Sequence, residues 1–175
     1  WTRFCRVWLH INSLEHVDIV DEHNQIVGTV DRATMRANNL IHRCVYIFFF
    51  SPLGSLYVQQ RCSNQEVFPE QWELAASGLL QAGEDSSAAA LRKLGDEFGI
   101  YQTKLNSHGE FFFAGEQCKV WGSIYSLIWD GDITPLGSKI SQWRYLSIED
   151  IPVFLGTQII TPTTLKAYQQ LLGIS

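Results

Sequence analysis

The sequence predicts an α/β domain: a mixed β-sheet with helices packed on its faces. Three observations predict it. Apolar runs of strand length recur along the chain, headed by Val45-Tyr46-Ile47-Phe48-Phe49-Phe50. Segments with helical spacing and clear start and stop residues lie between them. The strands and helices do not follow a simple βαβ alternation, so the sheet is expected to be mixed.

The elements follow in order. Residues 17–20 and 25–30 flank the polar stretch Asp21-Glu22-His23-Asn24 and read as paired strands. Asp31 is placed to cap a short helix over 32–38. The run 45–50 is β-branched and aromatic without interruption, as in a central strand buried on both faces. Ser51-Pro52-Leu53-Gly54 is a turn, and 56–60 alternates apolar with polar residues, as a partly exposed strand does. A polar loop follows over 63–70; the short, alanine-rich stretch 72–78 carries no clear period. A helix is predicted over 86–98, stopped by Gly99. Strands are predicted at 109–114, 119–129 and 143–146. Ser147 is placed to cap a short helix over 148–154, and Thr161-Pro162 opens a final helix to about residue 172.

The 175 residues suit one domain with one core, with no repeat, low-complexity tract or linker to divide them. Residues 1–15 read as an N-terminal extension without an assigned role. A 46% hydrophobic fraction argues against disorder. The net charge of -5, with no basic cluster, argues against a nucleic-acid partner. The longest apolar run is far too short to span a bilayer, and no signal peptide is evident, so a cytoplasmic protein is expected. Cys5, Cys44, Cys62 and Cys118 lack metal-ligand spacing and read as free thiols in a reducing compartment.

The helix 86–98 carries the functional signal. Leu91, Leu94 and Phe98 form an apolar stripe for the core, while Lys93, Asp96 and Glu97 share another face and Arg92 lies one turn before Asp96. Glu84 and Asp85, just before the helix, suit its macrodipole. Two features do not serve helix stability. Asp96 and Glu97 stand in the last turn, where the dipole disfavours negative charge. Gly95 stands in the interior, at a cost of about 1 kcal/mol relative to alanine. Carboxylates on adjacent turns suit a hard cation such as Mg²⁺, which prefers oxygen ligands and often bridges to phosphates.

The spacing is specific. From Gly78 there are five residues to Glu84 and seven more to Arg92, followed by Lys93-Leu94-Gly95-Asp96-Glu97-Phe98-Gly99-Ile100. This resembles the Nudix box, G-x5-E-x7-R-E-U-x-E-E-x-G-U with U a bulky aliphatic residue. Gly78, Glu84, Arg92, Leu94, Glu97, Gly99 and Ile100 match it, Asp96 replaces one glutamate conservatively, and Lys93 stands where the family usually has another. Asp18-Ile19-Val20-Asp21, Arg32, His42-Arg43, Gln59-Gln60-Arg61, Phe68-Pro69, Trp72 and Val120-Trp121-Gly122 are similar to the branch related to isopentenyl-diphosphate isomerase.

The resemblance implies a Nudix-type α/β/α sandwich with a loop-helix-loop box over 78–100, and hydrolysis of a diphosphate linkage in a nucleoside-diphosphate-type or related small molecule. It implies Mg²⁺ or Mn²⁺ held by Glu97, Asp96, Glu84 and the Ser77 carbonyl, with Arg92 orienting the carboxylates. Gly78, Lys93 and Arg61 are the implied substrate contacts. Lys93 cannot coordinate a cation while protonated, so weaker metal binding is expected; it either pairs with Glu97 or reaches a substrate phosphate. A base from elsewhere is then needed, and Glu116 and Glu110 are candidates. The alternatives are a catalytically weak or silent phosphate-binding module, and an isomerase-like enzyme. The isomerases of the family carry a cysteine and a histidine where Ser77 and Leu79 stand here; His42 matches their pattern, and their box is also basic where Lys93 stands. Stacking of a nucleobase on Phe111-Phe112-Phe113 or Trp121 is weighed against strand core. The partner is a small molecule, with a homodimer left open.

Overall fold

The computed structural model describes residues 15–174. The N-terminal extension lies almost wholly outside the described residues.

A two-stranded antiparallel ribbon, β1 (His16–Val20) and β2 (Ile26–Asp31), precedes the main sheet. It leads into α1 (Arg32–Ala37), where the Asp31 carboxylate accepts from Thr34 N–H as expected. Then come β3 (His42–Phe50), β4 (Leu56–Arg61), β5 (Trp72–Glu73) and β6 (Ala76–Leu79). Helix α2 (Ser86–Phe98) is capped by Asp85 and ends at Gly99 in the left-handed conformation, at φ 67°. Strands β7 (Asn106–Ala114), β8 (Lys119–Ile128) and β9 (Ile140–Leu146) follow. A single 3₁₀ turn (Ile148–Asp150) runs into α3 (Ile151–Thr157), and α4 (Pro162–Leu171) begins with proline at its first position.

The seven-stranded sheet is mixed, as expected. Its path is β5-β4-β3-β8-β7, with β6 on β3 and β9 on β4. Strand β3 pairs in parallel with β8 over its whole length, from His42 opposite Val120 to Phe50 opposite Ile128. Its other edge is divided: β6 pairs antiparallel with Cys44–Ile47, and β4 meets it only where Phe50 faces Leu56. Val45, Ile47 and Phe49 face one way, into a core shared with Ala89, Ala90 and Leu94 of α2. Tyr46 and Phe48 face the other way, into a core shared with α3 and α4. The result is a helix–sheet–helix sandwich, with both faces of β3 dry as its apolar run demands.

Several expectations are corrected. The core stripe of α2 is Ala89, Ala90 and Leu94, with Phe98 partly buried, and Leu91 is exposed. Two alanines let the helix lie close to β3, and that rotation turns Leu91 outward. Gly95 has a structural reason: a Cβ there would come within 2.7 Å of the Tyr101 ring. Ser147 does not cap a backbone N–H; its hydroxyl donates to Asp150. The stretch 72–78 supplies two strands. No helix among the described residues is long and apolar enough to cross a membrane.

Candidate functional site around the acidic helix

The loop-helix-loop is built by hydrogen bonds that explain its residue types. Gly78 pairs with Val45, and the aliphatic stem of Lys93 lies against it; a Cβ at position 78 would meet Lys93 Cδ at 2.8 Å. Gly78 is therefore needed for Lys93 to cross the strand. Arg92 grips the loop. Its Nε donates to Glu84 Oε1 at 2.7 Å, and its Nη2 donates to Glu84 Oε2 and to the Leu79 carbonyl, both at 2.9 Å. Gln81 N–H also donates to Glu84 Oε2. Burial pushes the Glu84 carboxyl up, but the Arg92 hydrogen bonds, the Gln81 N–H and the charge of Arg92 together outweigh it and hold the group below its ordinary value. Arg92 thus orients Glu84 and the strand end, and does not reach Glu97.

Lys93 and Glu97, one turn apart on α2, form a close ion pair in which both side chains are largely buried. Lys139, from the loop before β9, adds a second ammonium 3.8 Å from the same Glu97 oxygen. Burial and the positive charge of Lys93 lower the Lys139 pKa, while Glu97 opposes them. The negative charge at the C-terminal turn of α2, unfavourable to the helix dipole, is compensated by these two cations. Asp96 projects into solvent, 68% exposed, with Arg92 Nη1 at 3.9 Å as its ion partner.

Beside this pair lies a buried network built on Glu73, a residue not among the predicted site residues. Glu73 is 3% exposed. It accepts from Gln59 Nε2 at 2.8 Å, Arg61 Nη1 at 3.0 Å and Ser77 Oγ at 2.9 Å. Arg61 Nε also donates to the Val67 carbonyl. Arg61 and the Ser77 hydroxyl are therefore committed to Glu73, which satisfies an otherwise costly buried carboxylate. A lone glutamate in the alanine-rich stretch 72–78 was the available signal.

Two further cations, Arg32 and Arg36, stand on α1. Arg32 lies 3.5 Å from Glu15 and 3.9 Å from Glu66, and Arg36 lies 3.8 Å from the same Glu66 carboxylate. Both Nε atoms are buried without an acceptor among the described residues. His42 is 1% exposed; its Nδ1–H donates to the Leu40 carbonyl and its Nε2 has no partner among the described residues. Burial, aided by Arg36 and Arg32, lowers its pKa to about 4.

The remaining candidates lie elsewhere. Glu116 is exposed in the β7–β8 turn, where its carbonyl accepts from Asn39 Nδ2. Glu110, on β7, accepts from Asn24 in the β1–β2 turn and from Ser123 on β8. Phe112 and Trp121 stack on each other at 5.4 Å, and Phe111 is core. A shallow hollow lined by Ser51, Trp129, Asp132 and Tyr145 opens at the end of β3 opposite to His42.

The divalent cation implied by the box does not fit these side chains as they stand. Glu97 faces two ammonium groups, both Glu84 oxygens are taken by Arg92, and Asp96 points to solvent. No group of three or more metal-ligating side chains comes together among the described residues. What the arrangement offers is positive charge in a half-buried setting, suited to phosphate oxygens.

Comparison with known proteins gives the lineage. Residues 40–166 match the NUDIX domain family. The chain is 33% identical over 155 residues to the uncharacterized Nudix hydrolase YfcD of Escherichia coli strain K12, covering 89% of this chain and 85% of that protein. It is 36% identical over 130 residues to the uncharacterized Nudix hydrolase PA4841 of Pseudomonas aeruginosa, covering 74% and 77%. The crystal structure of DR0079 from Deinococcus radiodurans superposes with a TM-score of 0.71 at 21% identity, covering 89% of this chain and 98% of that one, and so shares the fold. The isomerase branch is not singled out by these matches. The chain belongs to the NUDIX domain family, and within it to the Nudix hydrolases.

Proposed function

We propose that the protein hydrolyses a diphosphate linkage in a nucleoside-diphosphate-type or related small molecule, on the face formed by α2, β6 and the loop before β9. One observation carries this reading: Lys93 and Lys139 converge on a single carboxylate across the glycine that begins the box. Water attacking a phosphorus in line spreads negative charge over the phosphoryl oxygens. Ammonium donors fixed beforehand at that position stabilise the developing charge. Arg92, by clamping Glu84 and the Leu79 carbonyl, keeps the box loop in place against the helix. The donors present do not fit Mg²⁺ or Mn²⁺.

The test is release of phosphate or nucleotide from a panel of nucleoside di- and triphosphates, dinucleotide polyphosphates, coenzyme A, sugar nucleotides and prenyl diphosphates. Each is incubated with and without Mg²⁺ or Mn²⁺, and Glu97→Gln controls for contaminating enzymes. Release that is absent in Glu97→Gln supports the reading and names the substrate class. No release from any member sinks it in favour of the second reading, a weak or silent binding module. That alternative has its own support, since the Lys93–Glu97 pair leaves the box without a free carboxylate to serve as base.

A further inference from the structure

We propose that Lys139, presented by the loop between β8 and β9, is the residue that contacts substrate phosphate, and that Lys93 is a positioning residue that neutralises Glu97 and so leaves the Lys139 charge free. The inference rests on reading this face as a diphosphate site, and extends it by giving the two lysines different tasks.

The loop is tied down at three points. Ile133 is buried in the core that α2 shares with β3. Leu136 N–H donates to the Glu97 carbonyl at 2.6 Å, satisfying one of the carbonyls that a helix end leaves open. The Lys139 carbonyl accepts from Cys62 N–H at 2.9 Å, beside the pairing of Arg61 with Ile140. Between the last two anchors, Gly137 takes the left-handed conformation at φ 87°, which a residue with a side chain rarely adopts. The Lys139 backbone is thus fixed at the β4–β9 pair while its side chain reaches the last turn of α2.

The two lysines differ in what they are free to do. The Lys93 side chain is 13% exposed, its stem lies on Gly78, and its ammonium is in close contact with Glu97. It cannot turn to a ligand without leaving that carboxylate unpaired and half-buried, which is costly. The Lys139 side chain is 42% exposed and stands 3.8 Å from the same oxygen, beyond hydrogen-bond distance. Two ammonium groups and one carboxylate leave a net positive charge, and with Glu97 committed to Lys93 the surplus lies on Lys139. Its three N–H donors are therefore available to a ligand, and a compact ammonium suits phosphate as a point charge. Because the loop is already anchored, little further ordering is needed on binding. The other cations beside the box are committed: Arg61 to Glu73 and the Val67 carbonyl, Arg92 to Glu84 and the Leu79 carbonyl.

Calorimetric titration with inorganic pyrophosphate, with and without Mg²⁺, tests this on the wild type, Lys139→Gln and Lys139→Arg. The expected result is binding that weakens at least about tenfold in Lys139→Gln and is largely restored in Lys139→Arg. In a parallel measurement, lysine acetylation read by mass spectrometry should slow at Lys139 when pyrophosphate is added, with the exposed Lys104 and Lys166 as unaffected references. Thermal melts identify any unfolded variant. Unchanged pyrophosphate affinity in Lys139→Gln, together with a lowered melting temperature, would overturn the proposal and reduce Lys139 to a partner of the α2 dipole. An unprotected Lys139, or a wild type that binds no pyrophosphate, would overturn it as well. Turnover on the substrate panel that survives Lys139→Gln would leave the hydrolase reading standing and remove this one. Lys139-dependent binding without turnover would do the reverse.

Discussion

Replacing Lys93 by glutamate restores the residue the box pattern places there, and the structure says what must follow. Lys93 is largely buried, its stem lies across Gly78, and its ammonium sits on Glu97. A dication held by Glu97 would stand roughly 5 Å from that ammonium. At an effective dielectric of about 20 the repulsion is about 6–7 kcal/mol. Salt screening and rotation of the lysine relieve most of it. If one third survives, about 2 kcal/mol remains, which is about 30-fold in Kd. Lys93→Glu removes this repulsion and adds a second carboxylate one turn from Glu97, so Mn²⁺ should bind at least about 30-fold more tightly than to the wild type. Without metal the variant should be less stable, because two half-buried carboxylates then repel each other. Mn²⁺ titration followed by electron paramagnetic resonance gives the affinity, and melting with and without Mg²⁺ gives the compensating stabilisation. Unchanged Mn²⁺ affinity, or a melting temperature that Mg²⁺ does not raise in the variant, would refute the claim that Lys93 keeps a cation away.

Three further outcomes are expected. His42 binds a proton near pH 6.5 when unfolded but only near pH 4 when folded, so its stability contribution is present above pH 6.5 and declines on acidification toward pH 4. The shift corresponds to about 3 kcal/mol, and urea unfolding of His42→Gln between these pH values should show a flatter slope than the wild type. Arg92→Met leaves Glu84 half-buried with its main partner gone, and should lower stability by about 1–3 kcal/mol at neutral pH, read by thermal unfolding. Gly95→Ala should stabilise the protein by about 1 kcal/mol in a Tyr101→Ala background, where helix propensity acts alone, and by less when the Tyr101 ring occupies the space, as a urea double-mutant cycle would show.

The parts legible in the sequence were those with a local signature. The box helix announced itself through its caps, Asp85 and Gly99, and the central strand through its unbroken apolar run. The failures have a common cause. Leu91 falls at i, i+3 and i+7 with Leu94 and Phe98 and so reads as core, but close approach to a sheet favours the smaller Ala89 and Ala90. Strands β5 and β6 are two and four residues long, too short for a period to emerge. Arg92 was expected to serve the carboxylates at the far end of its own helix and instead reaches back to Glu84, because its guanidinium points toward the helix N-terminus. Lys139 reaches Glu97 only through the pairing of β9 with β4, and Arg32 and Arg36 meet Glu66 only because the loop after β4 returns to α1. Such contacts join residues far apart in the chain, and a single sequence carries no local trace of them.

The divided edge of β3 has a consequence for how the chain acquires its shape. Its parallel neighbour, β8, lies far downstream, and its other neighbours each cover only part of its length. During synthesis, the most apolar segment of the molecule therefore waits with one flank open until β8 has emerged. Ordering it requires closure of a long loop before most of the rewarding contacts exist, which slows folding and exposes an apolar strand edge to other nascent chains. Substitutions that weaken β8 should therefore show first as poor soluble yield, before any loss in the folded protein is measurable.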